Sequence, residues 1–233
     1  YPLEWIPNPV RWQNYVDGWT KLPFTLFLRN TMLITVHNMI ADVLSSALVA
    51  FSFARLRARG RNALFMLLLA TMMVPNEVRL IPVYILFSRI GWVDTFLPLI
   101  VPSWFAYPFF VFLLRQFFMT IPYDLDDAAR IDGCNTWTTF GRIILPLAKP
   151  ALTAVAIFSF VGNWNDFLQP LIFLSDLNLY TLAIGLNMMR GQHFTQVHLL
   201  MAVSVIVVVP ILLLFFAAQK YFIEGVTLTG IKG

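Results

Sequence analysis

Residues 197–219, VHLLMAVSVIVVVPILLLFFAAQ, run without one Asp, Glu, Lys or Arg. A helix needs about 20 apolar residues to cross the hydrocarbon core of a bilayer, at about 1.5 Å per residue. Lipid offers no partner to backbone N–H and C=O groups, so a chain built from such runs must satisfy them inside helices. Residues 31–54, 95–119 and 150–174 also qualify as spans. Residues 62–90 differ: NALFMLLLATMMV is too short to cross alone, PNEVRLIP interrupts it at Pro75, and VYILFSRIG resumes. We read 62–90 as one broken span, or as a span plus a piece that does not cross. Composition supports the class, with 12% charged residues against about 25% in soluble domains. The expectation is an all-α, polytopic transmembrane helical bundle with five spans over residues 31–222. The net charge of +4 is small and scattered, which gives no argument for nucleic acid. One cysteine, Cys134, excludes an internal disulfide.

Basic residues orient the spans. Arg55, Arg57, Arg59 and Arg61 lie within seven residues, and the positive-inside rule places such a cluster in the cytoplasm. Arg130, Arg142 and Lys149 mark the loop at 120–149 in the same way, and Lys220 and Lys232 mark the tail. Five spans then put residues 1–30 outside and the C-terminal tail, 223–233, inside. An outside start at Tyr1 calls for an upstream span, giving six in the intact protein.

Between two spans lies DLDDAARIDGCNTWTTFGRIILPLAKP, residues 124–150. Thr120-Ile-Pro122 reads as a helix start, with Pro in the first turn. Asp124, Asp126 and Asp127 follow at the positive end of the helix dipole. Leu125, Ala128, Ala129 and Asp132 share one face at helical spacing, small enough for another backbone to come close. Gly133 is placed to end the helix in a left-handed conformation. Asn135 can cap a second helix, whose Trp137, Phe140 and Ile144 share a face until Pro146 stops it. Two short helices with a sharp elbow result. From the residues alone, an amphipathic loop on the membrane surface and a docking element for a partner both remain open. A DNA-reading helix-turn-helix does not fit, because its acidic first helix would face phosphates.

This stretch resembles the EAA loop of permease subunits in ATP-binding-cassette (ABC) importers, roughly E-A-A-x-x-D-G followed by I-x-L-P. Asp127-Ala128-Ala129, Asp132-Gly133 and Ile144-Leu145-Pro146 occupy those positions, with Asp127 standing where the family usually has Glu. FARLRARGRN, MMVPNEVRLIP, LLRQFFMTIP, WNDFLQPLIFL and EGVTLTGIKG are similar to the carbohydrate permeases of the maltose-transporter inner-subunit type. The resemblance implies a MetI-like ABC permease fold in a bacterial or archaeal cytoplasmic (inner) membrane. It implies that the loop at 120–146 couples to two cytoplasmic ATPase subunits. A second permease subunit and an extracytoplasmic solute-binding protein are the other implied partners. The tail would reach toward the ATPase dimer.

The chain carries no nucleotide site of its own to set against this. GVTLTGIK, residues 225–232, departs from the P-loop pattern at its Lys and lacks the following Ser or Thr. ATP therefore belongs to partner subunits, no cofactor is expected here, and the subunit is expected to catalyse no covalent chemistry. His37, His193 and His198 form no ligand spacing. Polar residues within spans face the bundle or a cavity. Asn163, Trp164, Asn165 and Asp166 combine an aromatic face with hydrogen-bonding groups beside Pro170, an expected kink, and form the candidate substrate path. Asp42, with Asn38 one turn away, is read as interhelical glue, and Glu77 and Arg79 as an ion pair. The expected function is translocation of a sugar or oligosaccharide. The rivals are the same fold carrying a glycerophosphodiester or polyamine, a secondary transporter, and a membrane scaffold.

Overall fold

In the computed structural model, which describes residues 9–190 and 196–230 (at residue 218 and over 220–230, the backbone only), the apolar runs are helical. The central helix is α2, Phe24–Arg55, of 32 residues, about 48 Å long at 1.5 Å per residue. It begins ahead of the run at 31–54, just after Pro23, and carries Phe24 and Phe27 into the core. Ala41, Ala47, Ala50 and Ala54 are buried along it, and small side chains of this kind let neighbouring backbones approach. Two helices pack against it, α6 (Pro108–Thr120) and α10 (Lys149–Trp164).

A short helix, α1 (Gln13–Lys21), lies across α13 (Val197–Gly230). Gly18 makes that crossing possible: a Cβ there would come within 2.8 Å of Val203 Cγ2 and 3.1 Å of the Leu199 carbonyl. The tail expected from residue 223 is helical backbone to Gly230, while residues 231–233 and His193 lie outside the described residues.

The break expected in the second span is present. Helix α3 (Arg61–Ala70) tightens into a 3-10 turn (Thr71–Met73), and α4 (Asn76–Arg89) leaves Pro75 at 96° to that direction. The third span is α5 (Leu97–Ile100), a 3-10 turn (Val101–Phe105) and α6. Residues 150–174, expected as one kinked helix, are two pieces. Helix α10 ends at Trp164 and α11 is Leu168–Phe173. The break falls at Asn165–Phe167 and not at Pro170. A proline cannot bond the carbonyl four residues back and its ring clashes with it, so the helix stops one turn upstream and Pro170 sits in the first turn of the next. Among the described residues, Phe24–Arg55, Leu97–Thr120 and Val197–Ala217 are long and apolar enough to cross a membrane alone. Counting each of the bent pairs, Arg61–Met73 with Asn76–Arg89 and Thr136–Leu147 with Lys149–Trp164, as one span raises the number to five. Large apolar side chains cover the outside, among them Leu67, Ile81 and Leu213, as expected where lipid replaces water.

The charged loop folds as α7 (Asp124–Ile131), an elbow, α8 (Thr136–Thr139), one π-helical turn (Phe140–Ile144) and α9 (Leu145–Leu147). Helix α7 starts two residues after Pro122. Pro146 does not stop the second helix, because it falls in the first turn of α9, where its missing N–H leaves no gap. The 79° bend comes at Ala148. Trp137 is not on the buried face either: it is exposed, whereas Thr139 and Ile144 are buried. The wide π turn changes the spacing at which residues share a side.

Candidate functional site

Two polar regions stand out, one between the spans and one at the end of the bundle that carries the arginine cluster. The first is a cavity of about 970 Å³ walled by α2, α4, α6 and α10–α11, within the usual size of small-molecule sites. Asn38 and Asp42 reach it from α2. The Asn38 Nδ2 donates to the Leu99 carbonyl at 2.9 Å and to Asn163 Oδ1 at 2.6 Å. Ser159 Oγ donates to Asp42 Oδ2 at 2.6 Å. Asp42 thus ties α2 to α10, as expected of interhelical glue. Asn163 Nδ2 donates to the Ser159 carbonyl at 2.8 Å, completing a polar seam between the helices. Asn38 Oδ1 and Thr181 Oγ1, both on the cavity wall, are buried without a hydrogen-bond partner.

The sequence-predicted quartet divides. Asn163 and Asp166 line the cavity, and Asp166 Oδ1 accepts from the Gln169 amide at 3.3 Å. Asn165 is exposed away from that lining, its Nδ2 donating to the Val161 carbonyl at 2.8 Å. Trp164 supplies no aromatic face to the path. It is 2% exposed, stacks on Phe160 at 5.4 Å, and donates through Nε1 to the Val207 carbonyl of α13 at 3.2 Å. Phe105 and Tyr107, from the segment before α6, Phe109, in its first turn, and Phe158 line the cavity instead. Nothing in their apolar surroundings marks them in the sequence. Glu77 and Arg79 both line the cavity but form no ion pair; Arg79 Nη2 donates to Asn76 Oδ1. Residues two apart on a helix do not face one another.

The second region is the hairpin. Gly133 has φ of +80°. Its N–H donates to the Arg130 carbonyl at 3.0 Å and the Cys134 N–H to the Ala129 carbonyl at 2.8 Å. This pair of bonds is the Schellman closure that a left-handed residue permits. Asn135 Oδ1 accepts from the Thr138 amide at 2.9 Å, the expected cap. The face of Leu125, Ala128, Ala129 and Asp132 is divided: Ala129 is buried against its own chain, and the other three are exposed. Asp127 is exposed and lies 3.2 Å from Arg130, a surface contact worth about 0–1 kcal/mol. Ile144 and Ala148 are fully buried in the core with Phe51 and Leu114, while Leu145 is half-buried and Pro146 exposed.

Sequence reasoning passes over the charge that holds the hairpin. Arg55 Nη1 lies 3.0 Å from Asp126 Oδ2, with the two side chains 2% and 11% exposed. This is a contact of charges more than an aligned hydrogen bond, since neither atom has a hydrogen-bond partner. Arg55 Nη2 donates to the carbonyls of Phe118 and Ile121, each at 2.7 Å. Tyr123 lies with its ring centroid 4.4 Å from the guanidinium carbon and donates through its hydroxyl to the Ala54 carbonyl at 2.9 Å. The signal available in the sequence is only that Arg55 opens the basic run inside the last turn of an apolar helix.

Residues 43–227 match the family model described as "Binding-protein-dependent transport system inner membrane component". The chain is 36% identical over 233 residues to the arabinooligosaccharides transport system permease protein AraQ of Halalkalibacterium halodurans, covering 99% of this chain and 83% of that protein. It is 33% identical over 236 residues to the melibiose/raffinose/stachyose import permease protein MelC of Bacillus subtilis, covering 100% and 86%. The sn-glycerol-3-phosphate transport system permease protein UgpE of Pectobacterium atrosepticum is 34% identical over 232 residues, covering 96% and 82%. In fold the chain is similar to the crystal structure of a bacterial ABC transporter involved in the import of the acidic polysaccharide alginate. The TM-score is 0.83 at 21% identity, over 93% of this chain and 81% of that one. A helical bundle with a polar cavity between its spans and an EAA-type hairpin at one end therefore belongs to the family of inner-membrane components of binding-protein-dependent transport systems: it is a multi-pass, non-catalytic permease subunit of an ABC importer, a role that implies a binding protein and an ATPase as partners.

Proposed function

We propose that this subunit carries a neutral sugar or oligosaccharide, and that α7 and its elbow transmit ATPase movement to the spans. The cavity wall carries the substrate assignment. It combines aromatic faces with polar side chains, among them Asn163 and Gln169, the combination that a polyhydroxylated ring can use. The charges on the wall also bear on the choice. Asp42, Glu77 and Asp166 face one guanidinium, that of Arg79. A phosphate would meet three carboxylates, which weighs against an anionic solute of the kind named for UgpE. In the assembly proposed, a second permease subunit completes the pathway and two ATPases sit beneath the hairpin. The N-terminal side of α2 faces outward and the arginine cluster faces the cytoplasm.

Reconstitution with the cognate binding protein and ATPase tests both parts. Neutral oligosaccharides should stimulate ATP hydrolysis and enter proteoliposomes, while glycerol-3-phosphate and a polyamine should do neither. Stimulation by either charged solute alone would overturn the substrate assignment. Ala128→Trp, on the exposed side of α7, and Gly133→Val, which costs about 1–2 kcal/mol in a left-handed conformation, should leave the spans inserted and reduce stimulated hydrolysis. Normal ATPase association and stimulation in both variants would show that the hairpin is only a linker.

A further inference from the structure

Three chain segments meet at one guanidinium. Arg55 ends α2, the carbonyls of Phe118 and Ile121 end α6, and Asp126 belongs to the first turn of α7. The carbonyls at the end of a helix run short of partners within it. Arg55 supplies a donor to Ile121, just past α6, and a second donor to Phe118, whose carbonyl otherwise accepts only the long 3.3 Å bond from the Ile121 amide. Its remaining charge is balanced by Asp126. Arg57 and Arg59, which follow it, are exposed, so burial sets Arg55 apart from the rest of the cluster. Tyr123, immediately before α7, closes the arrangement by bonding back to Ala54. The loop is consequently fastened to α2 by an ion pair, a ring–cation contact and a hydroxyl bond within four residues, Tyr123 to Asp126.

The same helix walls the cavity. Asp42 lies about 20 Å along α2 from Arg55 at 1.5 Å per residue, and the helix is unbroken between them. It bonds α10 there through Ser159. A displacement of α7 is carried to Asn38 and Asp42 only if the joint at Arg55 does not yield. A buried charge pair suits that requirement, because separating it exposes an unpaired charge in an apolar setting.

We propose that Arg55 and Asp126 are positioning residues for coupling: they form the joint through which movement of the hairpin becomes movement of the cavity wall. The proposal rests on the coupling role assigned above to the hairpin. It differs in placing transmission in α2, through residues that need not touch the ATPase.

The test uses the assembled importer in proteoliposomes and compares Asp126→Asn, Arg55→Gln, the double variant and Tyr123→Phe. Two quantities are read: ATPase association with the membrane subunits, and solute imported per ATP hydrolysed. Asp126→Asn should leave association intact and lower the solute-to-ATP ratio by about five-fold or more, the lower end of ordinary coupling energies. The double variant should do no worse than the weaker single one, since both remove the same contact. Tyr123→Phe keeps the ring over Arg55, loses only the bond to Ala54, and should lower the ratio less. An unchanged ratio in Asp126→Asn overturns the joint. So does a loss of uptake that follows weakened ATPase association in proportion, which would make the pair a mere support for the docking surface. If Asp126→Asn does not assemble, Tyr123→Phe decides: a lowered ratio supports the joint, and an unchanged one overturns it. The hairpin's coupling role fails separately, through Ala128→Trp.

Discussion

At its Arg55 end, α2 meets α6 and α7 through a guanidinium closed to solvent, whereas at Asn38 and Asp42 it meets α10 through side chains that also border an open cavity. Both contacts are polar and both join the same helix to its neighbours, yet they tolerate change differently. The asparagine and serine bonds are as buried as the ion pair, but each is a single hydrogen bond worth about 1–3 kcal/mol, so remaking one costs less than separating a buried charge pair. A permease whose walls must rearrange around a passing solute needs the first kind of contact beside the pathway. On the coupling role proposed for the hairpin, it needs the second kind where force enters.

The largest expected effect breaks the sealed end. Arg55→Ala leaves Asp126 buried without its partner and takes the Arg55 donor from the carbonyls of Phe118 and Ile121. The purified complex should lose about 3–5 kcal/mol, the usual cost of removing one member of a buried pair, with a matching fall in its thermal midpoint. A loss under about 1 kcal/mol, the range of an exposed pair, would erase the distinction between the two ends. Asn38→Ala should cost less, about 1 kcal/mol for each neutral bond removed, while raising the KM for uptake. If it destabilises the complex as much as Arg55→Ala does, the seam is not the yielding contact described here.

The smallest effect sharpens the comparison by placing a charge where water reaches it. Asp94, in the turn between α4 and α5, has φ of +61° and accepts from the amides of Ser175 and Asp176 at 2.8 and 2.9 Å. Those bonds, first from Asp176 and then from Ser175, hold its carboxyl below the ordinary aspartate value of 3.8. The group therefore contributes stability above that value, and the contribution disappears as pH falls through the lower folded-state pKa. Amide exchange at Ser175 and Asp176, corrected for intrinsic rates, should show protection at pH 6 that declines below pH 3.8. Asp94→Asn should flatten that dependence. An unaltered profile in the variant would remove Asp94 from the account of the loop.

Much of this architecture is legible in the residues because lipid leaves a backbone few choices. The apolar runs, the break at Pro75, the positive φ of Gly133 and the cap at Asn135 each follow from a local rule. Features that depend on a distant neighbour are not legible in this way. Arg55 counts as one more charge in a basic cluster until α6 and α7 fold over it. Trp164 sits between two asparagines, Asn163 and Asn165, but its ring packs on Phe160 and bonds α13. Ala129 has the same composition and spacing as Ala128, and only the packing of α7 against its own bundle decides that one is covered and the other is open.

The π turn at Phe140–Ile144 has a consequence for chain length. Its bonds run five residues back instead of four, so it holds one residue more than the α geometry on either side requires. That surplus is why Thr139, and not the more apolar Trp137, is buried with Ile144. A chain one residue shorter here could close into ordinary helix with the same sides facing the core. The loss of one residue from α7 would instead turn everything before the deletion by about 100°, carrying Asp126 away from Arg55. Of the two halves of the hairpin, only the second has length to spare.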